Sequence, residues 1–348
     1  VYSPSIWAGW YSGRYTEYES ALEKARGTVP HFMHIEWGAD SHAGRHAEDP
    51  DQALAAVRTG RGTAEVGFAY KRSGGPVRVS SDGDWSETYA CDLFDWYLKT
   101  LAKLPWMTGA AQWCFKDFTT ALRDDNPIPR VNQKGLVARD LTPKESYYLF
   151  QSWWAEKPMV HIYGHSWPVR WGKPGQQREV RVYSNCRVVE LYLNGKPVGV
   201  RQRDPDNFPA AGLRWSLAFR EGENELRAVA RTDDGSIEDS IGFTYETRTW
   251  GSPARLTASL GDRGSEATTI DAALVDSAGV RCLDSRAVVC FSLAGNGRLQ
   301  DNLGTTTGSR VVEMCNGRAQ IRVSHTDPVI VGVHSAGVEP AFVQIPSG

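Results

Sequence analysis

The chain has 348 residues, a formal net charge of −2 at pH 7 and 41% hydrophobic residues. That length exceeds one compact core and implies two or three domains, while a near-balanced charge without a long basic run excludes nucleic acid and anionic membranes as main partners. No stretch approaches the roughly 18 consecutive apolar residues of a membrane span. Cys91, Cys114, Cys186, Cys282, Cys290 and Cys315 show neither Cys-x-x-Cys spacing nor a dense framework, so buried free thiols are expected, with no metal site and no cofactor. Val1 follows neither an initiator Met nor a signal-like segment, so the natural start is expected to be processed or upstream. A periplasmic or extracellular address is expected ahead of a cytoplasmic one.

Nine of the 13 tryptophans precede Pro158, and in this part strands and helices alternate. Ile6–Tyr11 reads as a short apolar strand. Thr16 and Glu19 have capping-box spacing for a helix that Gly27 ends. Phe32–Trp37 is the next strand. A polar insert from Asp40 to Trp85 follows, with Arg45, His46, Arg58, Arg61 and a Gly74-Gly75-Pro76 turn, placed where strand-to-helix loops build active sites or run as plain surface. Asp84 and Glu87 cap a helix whose Tyr89, Leu93, Phe94, Tyr97, Leu98 and Leu101 share one face. Gly109–Phe115 is a third strand, and a helix from about Pro143 carries Tyr147, Tyr148, Phe150, Gln151 and Trp154. Three strand-helix units in series predict part of a parallel α/β sheet. Three units cannot close a barrel, so an upstream piece is expected to complete it.

Beyond Pro158 the pattern becomes short alternating strands with turns. Val180-x-Val182 alternates, and Val189-x-Leu191-x-Leu193 runs into Asn194-Gly195, a type I′ hairpin signal. Leu226, Ala228 and Ala230 supply another strand. After a linker at Trp250–Pro253, the segments 255–260, 272–275, 287–293, 320–323 and 329–333 predict a second sandwich. The expected division is 1–158, 159–248 and 252–348, with about 90 residues per sandwich.

The most informative stretch is His31-Phe-Met-His-Ile-Glu-Trp-Gly-Ala39, a strand that ends on a carboxylate beside an aromatic. A glycosidase uses such a carboxylate on a sugar carbon while an indole covers the ring's apolar face. Retaining enzymes need a second carboxyl about 5–5.5 Å away, and the sequence offers no comparable strand-end partner. Trp7, Trp10 and Tyr11, then Glu36 and Trp37, then Gln112, Trp113, Lys116 and Asp117 end the three predicted strands and together form a candidate sugar cradle. Asp40, His42 and Arg45 follow Glu36 closely enough to meet sugar hydroxyls or to sit in a solvated loop. His31 and His34 are expected to pack.

Four segments resemble glycoside hydrolase family 2, the β-galactosidase, β-glucuronidase and β-mannosidase group. They are Trp7-Ala-Gly-Trp-Tyr11, His34-Ile-Glu-Trp-Gly38, Gly109-Ala-Ala-Gln-Trp-Cys-Phe-Lys-Asp-Phe118, and Asn132-Gln-Lys-Gly-Leu-Val-Ala-Arg-Asp140 with Pro143-Lys144. Val182-Tyr-Ser-Asn-Cys186 and Glu190-Leu-Tyr-Leu-Asn-Gly195 extend the likeness into the immunoglobulin-like domain that follows the family's barrel. Gly295-Asn-Gly-Arg298 and Asp301-Asn-Leu-Gly304 resemble its C-terminal sandwiches. The resemblance implies the C-terminal part of a TIM (β/α)8 barrel followed by two immunoglobulin-like β-sandwiches.

It also implies that Glu36 is the nucleophile at the end of barrel strand seven and that Trp113, ending strand eight, stacks on the sugar. The acid/base Glu, after strand four, would lie upstream of Val1. Trp7 falls where the family carries a nucleophile-tuning Tyr, and an indole N–H donates but cannot ionise. Asn132-x-Lys134 resembles the pair that grips a uronate carboxylate, whereas the continuation Lys-Gly-Leu-Val is also β-galactosidase-like. The expected function is a retaining exo-β-glycosidase, β-galactosidase-like first. A β-glucuronidase or other uronide hydrolase, or a non-catalytic carbohydrate-binding fragment, is the alternative. The expected partners are a carbohydrate substrate and the missing N-terminal part of the same enzyme, with homo-oligomerisation open.

Overall fold

A computed structural model describes residues 3–11, 14–27, 31–48, 84–124 and 126–347. The insert residues Arg58, Arg61, Gly74, Gly75 and Pro76 lie outside them. In the first part, β1 (Met33–Trp37) pairs in parallel with β2 (Gly109–Gln112), placing Met33 opposite Gly109 and Trp37 opposite Gln112. Helices α1 (Tyr18–Arg26), α2 (Glu87–Ala102) and α3 (Glu145–Trp154) surround this pair. A two-residue ladder, β3 (Phe118–Thr119) with β4 (Val131–Asn132), follows β2. Two parallel strands are what the described residues contain of the expected barrel.

The predicted strand at Ile6–Tyr11 is a turn. Trp10 N donates to Trp7 O at 3.0 Å, and Gly9 takes a φ of +87°, where a Cβ would meet Tyr15 N at 2.6 Å. Ala8 makes a single β-bridge, and the carbonyls of Ala8 and Gly9 accept from the hydroxyls of Tyr97 and Tyr89 on α2. Capping also differs. Glu17 accepts from Arg14 N at 3.1 Å, two residues before the predicted Thr16–Glu19 box. Ser86, not Asp84, caps α2 by accepting from Tyr89 N at 3.0 Å. Gly27 ends α1 as expected.

The aromatic core gathers Trp10, Trp37, Tyr18, Tyr89, Phe94, Tyr97 and Phe150 around β1. Tyr18 and Tyr97 stack at 3.4 Å, and Trp37 lies 5.9 Å from Phe150. α2 is buried well beyond its predicted apolar face, because its polar residues contact the next domain. Asp92 pairs with buried Arg181, and Asp95 accepts from Ala210 N.

The second part is a sandwich. One sheet has β5 (Val160–Ile162), β7 (Gln177–Ser184) and β10 (Arg214–Ala218). The other has β6 (Val169–Trp171), β8 (Val188–Leu193), β9 (Lys196–Gln202), β11 (Gly222–Thr232) and β12 (Gly235–Glu246). Val180, Val182, Leu191, Leu226, Ala228 and Trp215 fill the space between them. Asn194 and Gly195 have φ of 51° and 76°, the paired positive values that the type I′ reading requires.

The third part is a second sandwich of two four-stranded sheets. One contains β13 (Pro253–Arg263), β14 (Thr268–Asp276), β16 (Gly297–Leu299) and β18 (Arg318–His325). The other contains β15 (Val288–Ala294), β17 (Val311–Glu313), β19 (Val329–Ser335) and β20 (Ala341–Ile345). Ile128 and Val131 of the first part are buried in this third core. All six cysteines are free, but Cys290 is exposed, unlike the expected buried thiols. No described helix is long and apolar enough to cross a membrane.

His34 is fully buried on β1 with Nδ1 2.6 Å from Tyr18 Oη, while His31, expected to pack, is exposed. Burial pulls the His34 imidazole down to about 4. Below pH 6.5 the unfolded chain therefore binds a proton that the folded chain refuses. Stability is lost as pH falls from 6.5 towards 4, by up to about 3 kcal/mol from this group. A His34→Phe variant is expected to lose less melting temperature between pH 7 and pH 5 than the parent. Identical slopes would remove His34 from the acid response.

Candidate functional site

β1 and β2 deliver Glu36 and Trp113 to the same edge. Trp37 is in register with Gln112, and Trp113 N donates to Trp37 O at 2.8 Å, so the residue after β2 is tied to the end of β1. Glu36 is exposed, and Trp113 is 42% exposed with Phe118 edge-on at 6.0 Å. These are the features a sugar site needs, a carboxylate in reach of solvent and an accessible indole face.

Several other candidates do not present themselves to a sugar. Trp37 is fully buried among His34, Phe94, Tyr97 and Phe150, because the register shift between His34 and Trp37 turns both of them, three residues apart, towards the core. Trp10 is fully buried and Trp7 nearly so. Both turn their rings towards the Lys134 ammonium, at 5.4 Å for Trp7 and 5.5 Å for Trp10, with Tyr11 at 4.8 Å. Lys116 is exposed and Asp117 is buried. Asp117 Oδ1 accepts from Gly135 N at 2.8 Å and Lys144 Nζ at 3.0 Å, so it shapes the 133–137 turn. Burial raises its carboxyl to about 7 against the pull of Lys144.

Asp40 is also fully buried. Its carboxylate accepts from Lys134 Nζ, from Arg123 Nη1 at 3.2 Å on each oxygen, and from Gln133 N at 3.1 Å. Burial alone would raise its pKa, but Lys134 and Arg123 outweigh it and hold the group below the usual range. Asn132, on β4, accepts from Lys134 N at 3.1 Å and so fixes the Asn132-x-Lys134 turn. Lys134 itself is 1% exposed. Arg123 was not distinguishable in the sequence, because it lies in an irregular polar stretch without periodicity. Lys144, buried on Ser41 O, Gln133 O and Asp117, was noted there only as part of a motif.

The loop after Asp40 is an interdomain lock, not a set of sugar contacts. His42 is buried, with Nδ1 2.9 Å from Gln133 Nε2 and Nε2 2.8 Å from Glu313 O. Burial and the nearby Arg45 charge push its pKa well down. The neutral ring therefore accepts at Nδ1 and donates from Nε2. Arg45 Nη2 reaches Glu313 Oε1 at 2.5 Å and Met314 O at 3.0 Å. His46 bonds Tyr163 Oη and Ser166 Oγ and stacks on Trp167 at 5.0 Å. Glu87 accepts from Gly44 N and Glu145 N, both at 2.6 Å.

Among the described residues, His161, His165 and Asp239 offer ligand atoms within 4.8 Å of one another. The two imidazoles are stacked, 17° from parallel with centroids 4.6 Å apart, so their in-plane lone pairs do not converge well on one ion. His165 Nε2 meets Asp239 Oδ2 at 2.8 Å and His161 Nε2 meets Glu145 Oε2 at 2.9 Å, bonds that suit a structural junction.

The layered architecture, with a strand-end carboxylate followed by two sandwiches, is of the glycosidase kind, and the comparisons agree. The family model described as a domain of unknown function (DUF4982) matches residues 175–237. The chain is 49% identical to a beta-glucuronidase of Parabacteroides merdae whose crystal structure is known, over 99% of this chain and 44% of that one, with a TM-score of 0.94. It is 39% identical to a Formosa agariphila protein that carries a provisional beta-glucuronidase name, over 99% of this chain and 42% of that protein. A beta-galactosidase of Bacteroides ovatus is 34% identical over 170 residues, 47% of this chain and 18% of the relative. The findings support a chain of the glycoside hydrolase family 2 type, and they reverse the expected order by favouring glucuronidase over galactosidase relatives. The chain spans less than half the length of the Parabacteroides merdae and Formosa agariphila relatives.

Breaking the Arg45–Glu313 contact leaves a poorly hydrated carboxylate whose other ion-pair partner among the described residues is Arg286, at 3.4 Å. Arg45→Met is expected to lower stability by about 2–4 kcal/mol. Arg45→Met with Glu313→Gln should lose less than the sum of the single changes, read from thermal unfolding. Strict additivity would mean that the two residues do not stabilise one another.

Proposed function

We propose that the full polypeptide carrying this chain is a retaining exo-β-glycosidase that acts on β-glucuronides, with Glu36 as its nucleophile. The carrying observation is the pairing of an exposed strand-end Glu36 and accessible Trp113 with the Asn132-x-Lys134 turn. The named beta-glucuronidase relatives support the choice of sugar. In this reading the segment 3–154 completes its (β/α)8 barrel with chain outside these 348 residues, which also brings the acid/base carboxyl.

Glu36 attacks the anomeric carbon while the acid protonates the departing oxygen. The resulting glycosyl-enzyme ester is then hydrolysed by water that the same acid/base activates. Trp113 covers the apolar face of the sugar during both steps. The Lys134 charge favours a C6 carboxylate over a hydroxymethyl group. A carbohydrate-binding fragment that does not cleave glycan is the rival for the isolated chain, because this reading takes the acid/base carboxyl from outside it.

Glu36→Gln in the full polypeptide is expected to abolish turnover of an aryl β-glucuronide while leaving sugar affinity within a fewfold of the parent. Unchanged turnover would sink the nucleophile assignment. Lys134→Ala is expected to lower kcat/KM for a glucuronide about 10–100-fold, and for the matching glucoside or galactoside only severalfold. Equal losses on charged and neutral sugars would make Lys134 a general structural residue.

A further inference from the structure

The buried cluster around Asp40 contains more positive than negative charge. Asp40 supplies one carboxylate, while Lys134 and Arg123 supply two cations, all within hydrogen-bond reach of it. All three residues are buried. Two ion pairs lie beside it. Asp117 pairs with Lys144 at 3.0 Å, and exposed Asp124 pairs with Arg130 at 2.9 Å. At the strand ends, exposed Glu36 and exposed Lys116 carry opposite charges. Arg123 also donates from Nη2 to Tyr11 Oη at 2.8 Å, and the Tyr11 ring lies 4.8 Å from the Lys134 ammonium. The guanidinium thus braces Asp40 and one wall of the aromatic enclosure around Lys134.

We propose that Arg123 is a positioning residue that determines specificity, because it takes up part of the Asp40 charge and leaves the Lys134 charge uncancelled to select a carboxylate-bearing sugar. The inference rests on the uronide reading and deepens it. A lone Lys134–Asp40 pair would be net neutral, and the field of such a dipole falls off faster than that of a single charge. With Arg123 added, the cluster acts on a third group as one net positive charge. A guanidinium suits this place because its planar fork bonds Asp40 and Tyr11 together, and it does not lose its proton on burial. Arg123 need not touch the sugar to act.

The test uses the full polypeptide with 4-nitrophenyl β-D-glucuronide and 4-nitrophenyl β-D-glucoside, which differ only in the oxidation state of C6. Arg123→Met makes the cluster neutral. It is expected to lower the glucuronide-to-glucoside ratio of kcat/KM at least tenfold, mainly through the glucuronide KM. Arg123→Lys, which keeps the charge, should retain most of the ratio. Arg123→Met with Asp40→Asn leaves Lys134 as the one charge and restores the net value of the parent, so the ratio should recover. Asp40→Asn alone raises the surplus and should increase the ratio, which keeps the test open if Arg123→Met does not fold. Equal losses on both glycosides, no recovery in the double variant, or a ratio that Asp40→Asn leaves unchanged or lowers would overturn the proposal. A parent protein that cleaves neither glycoside, or prefers the glucoside, would instead overturn the uronide reading.

Discussion

The buried carboxylate of Asp40 is the constraint around which the first part of the chain is organised. A fully buried charge is costly unless it is paired and hydrogen-bonded, and this one is met by Lys134, Arg123 and the Gln133 amide. Asp40 lies in the loop after β1, and its partners come from two further stretches, the segment before β4 and the turn after it. Ionising Asp40 in the interior therefore requires all three stretches to assemble, three residues beyond the end of the strand that carries Glu36. The same turn is held from its other side by Asp117 and Lys144. Gly135 is needed there because a Cβ would lie 2.3 Å from Asp117 N.

The site edge is also coupled to the sandwiches. His42, Arg45 and His46 leave the Asp40 region and bond Glu313, Met314, Tyr163, Ser166 and Asn316. Ile128 and Val131, on the segment leading to Asn132 and Lys134, are buried in the core of the second sandwich. The second sandwich thus supports the Asn132-x-Lys134 turn from behind. This gives the two β domains a physical role in holding a site to which they contribute no exposed carboxylate or indole of the kind found at Glu36 and Trp113.

Eight of the sixteen sandwich strands were legible because period-two apolar alternation and turn chemistry act locally, as at Leu191, Leu193 and Asn194-Gly195. β1 was legible as a short apolar run and α2 from apolar residues recurring on one helical face. The turn at Trp7–Tyr11 was not, since its apolar residues read as a strand until the hydroxyls of Tyr89 and Tyr97 claim its carbonyls from some 80–90 residues away. At the site, residue type pointed to Glu36 and Trp113, and the family resemblance drew out Asn132-x-Lys134. Burial of Trp10, Trp37, Asp40, His42 and Asp117 was not readable, because it depends on partners distant in sequence. Arg123 carries no periodic or motif signal at all. The galactosidase-first reading leaned on a continuation shared by both kinds of enzyme, and the relatives shift the weight to the uronide side.

The central claim is that Glu36 forms a covalent bond to a uronic sugar, and trapping that bond tests it most directly. The full polypeptide would be treated with an activated 2-deoxy-2-fluoro-β-D-glucuronide, whose glycosyl-enzyme hydrolyses slowly, and then digested and sequenced by mass spectrometry. The account predicts one added 2-fluoroglucuronosyl mass on the peptide containing Glu36, suppressed by competing glucuronide and absent from Glu36→Gln. An adduct on another carboxylate, or steady turnover of the reagent without labelling of Glu36, would contradict it.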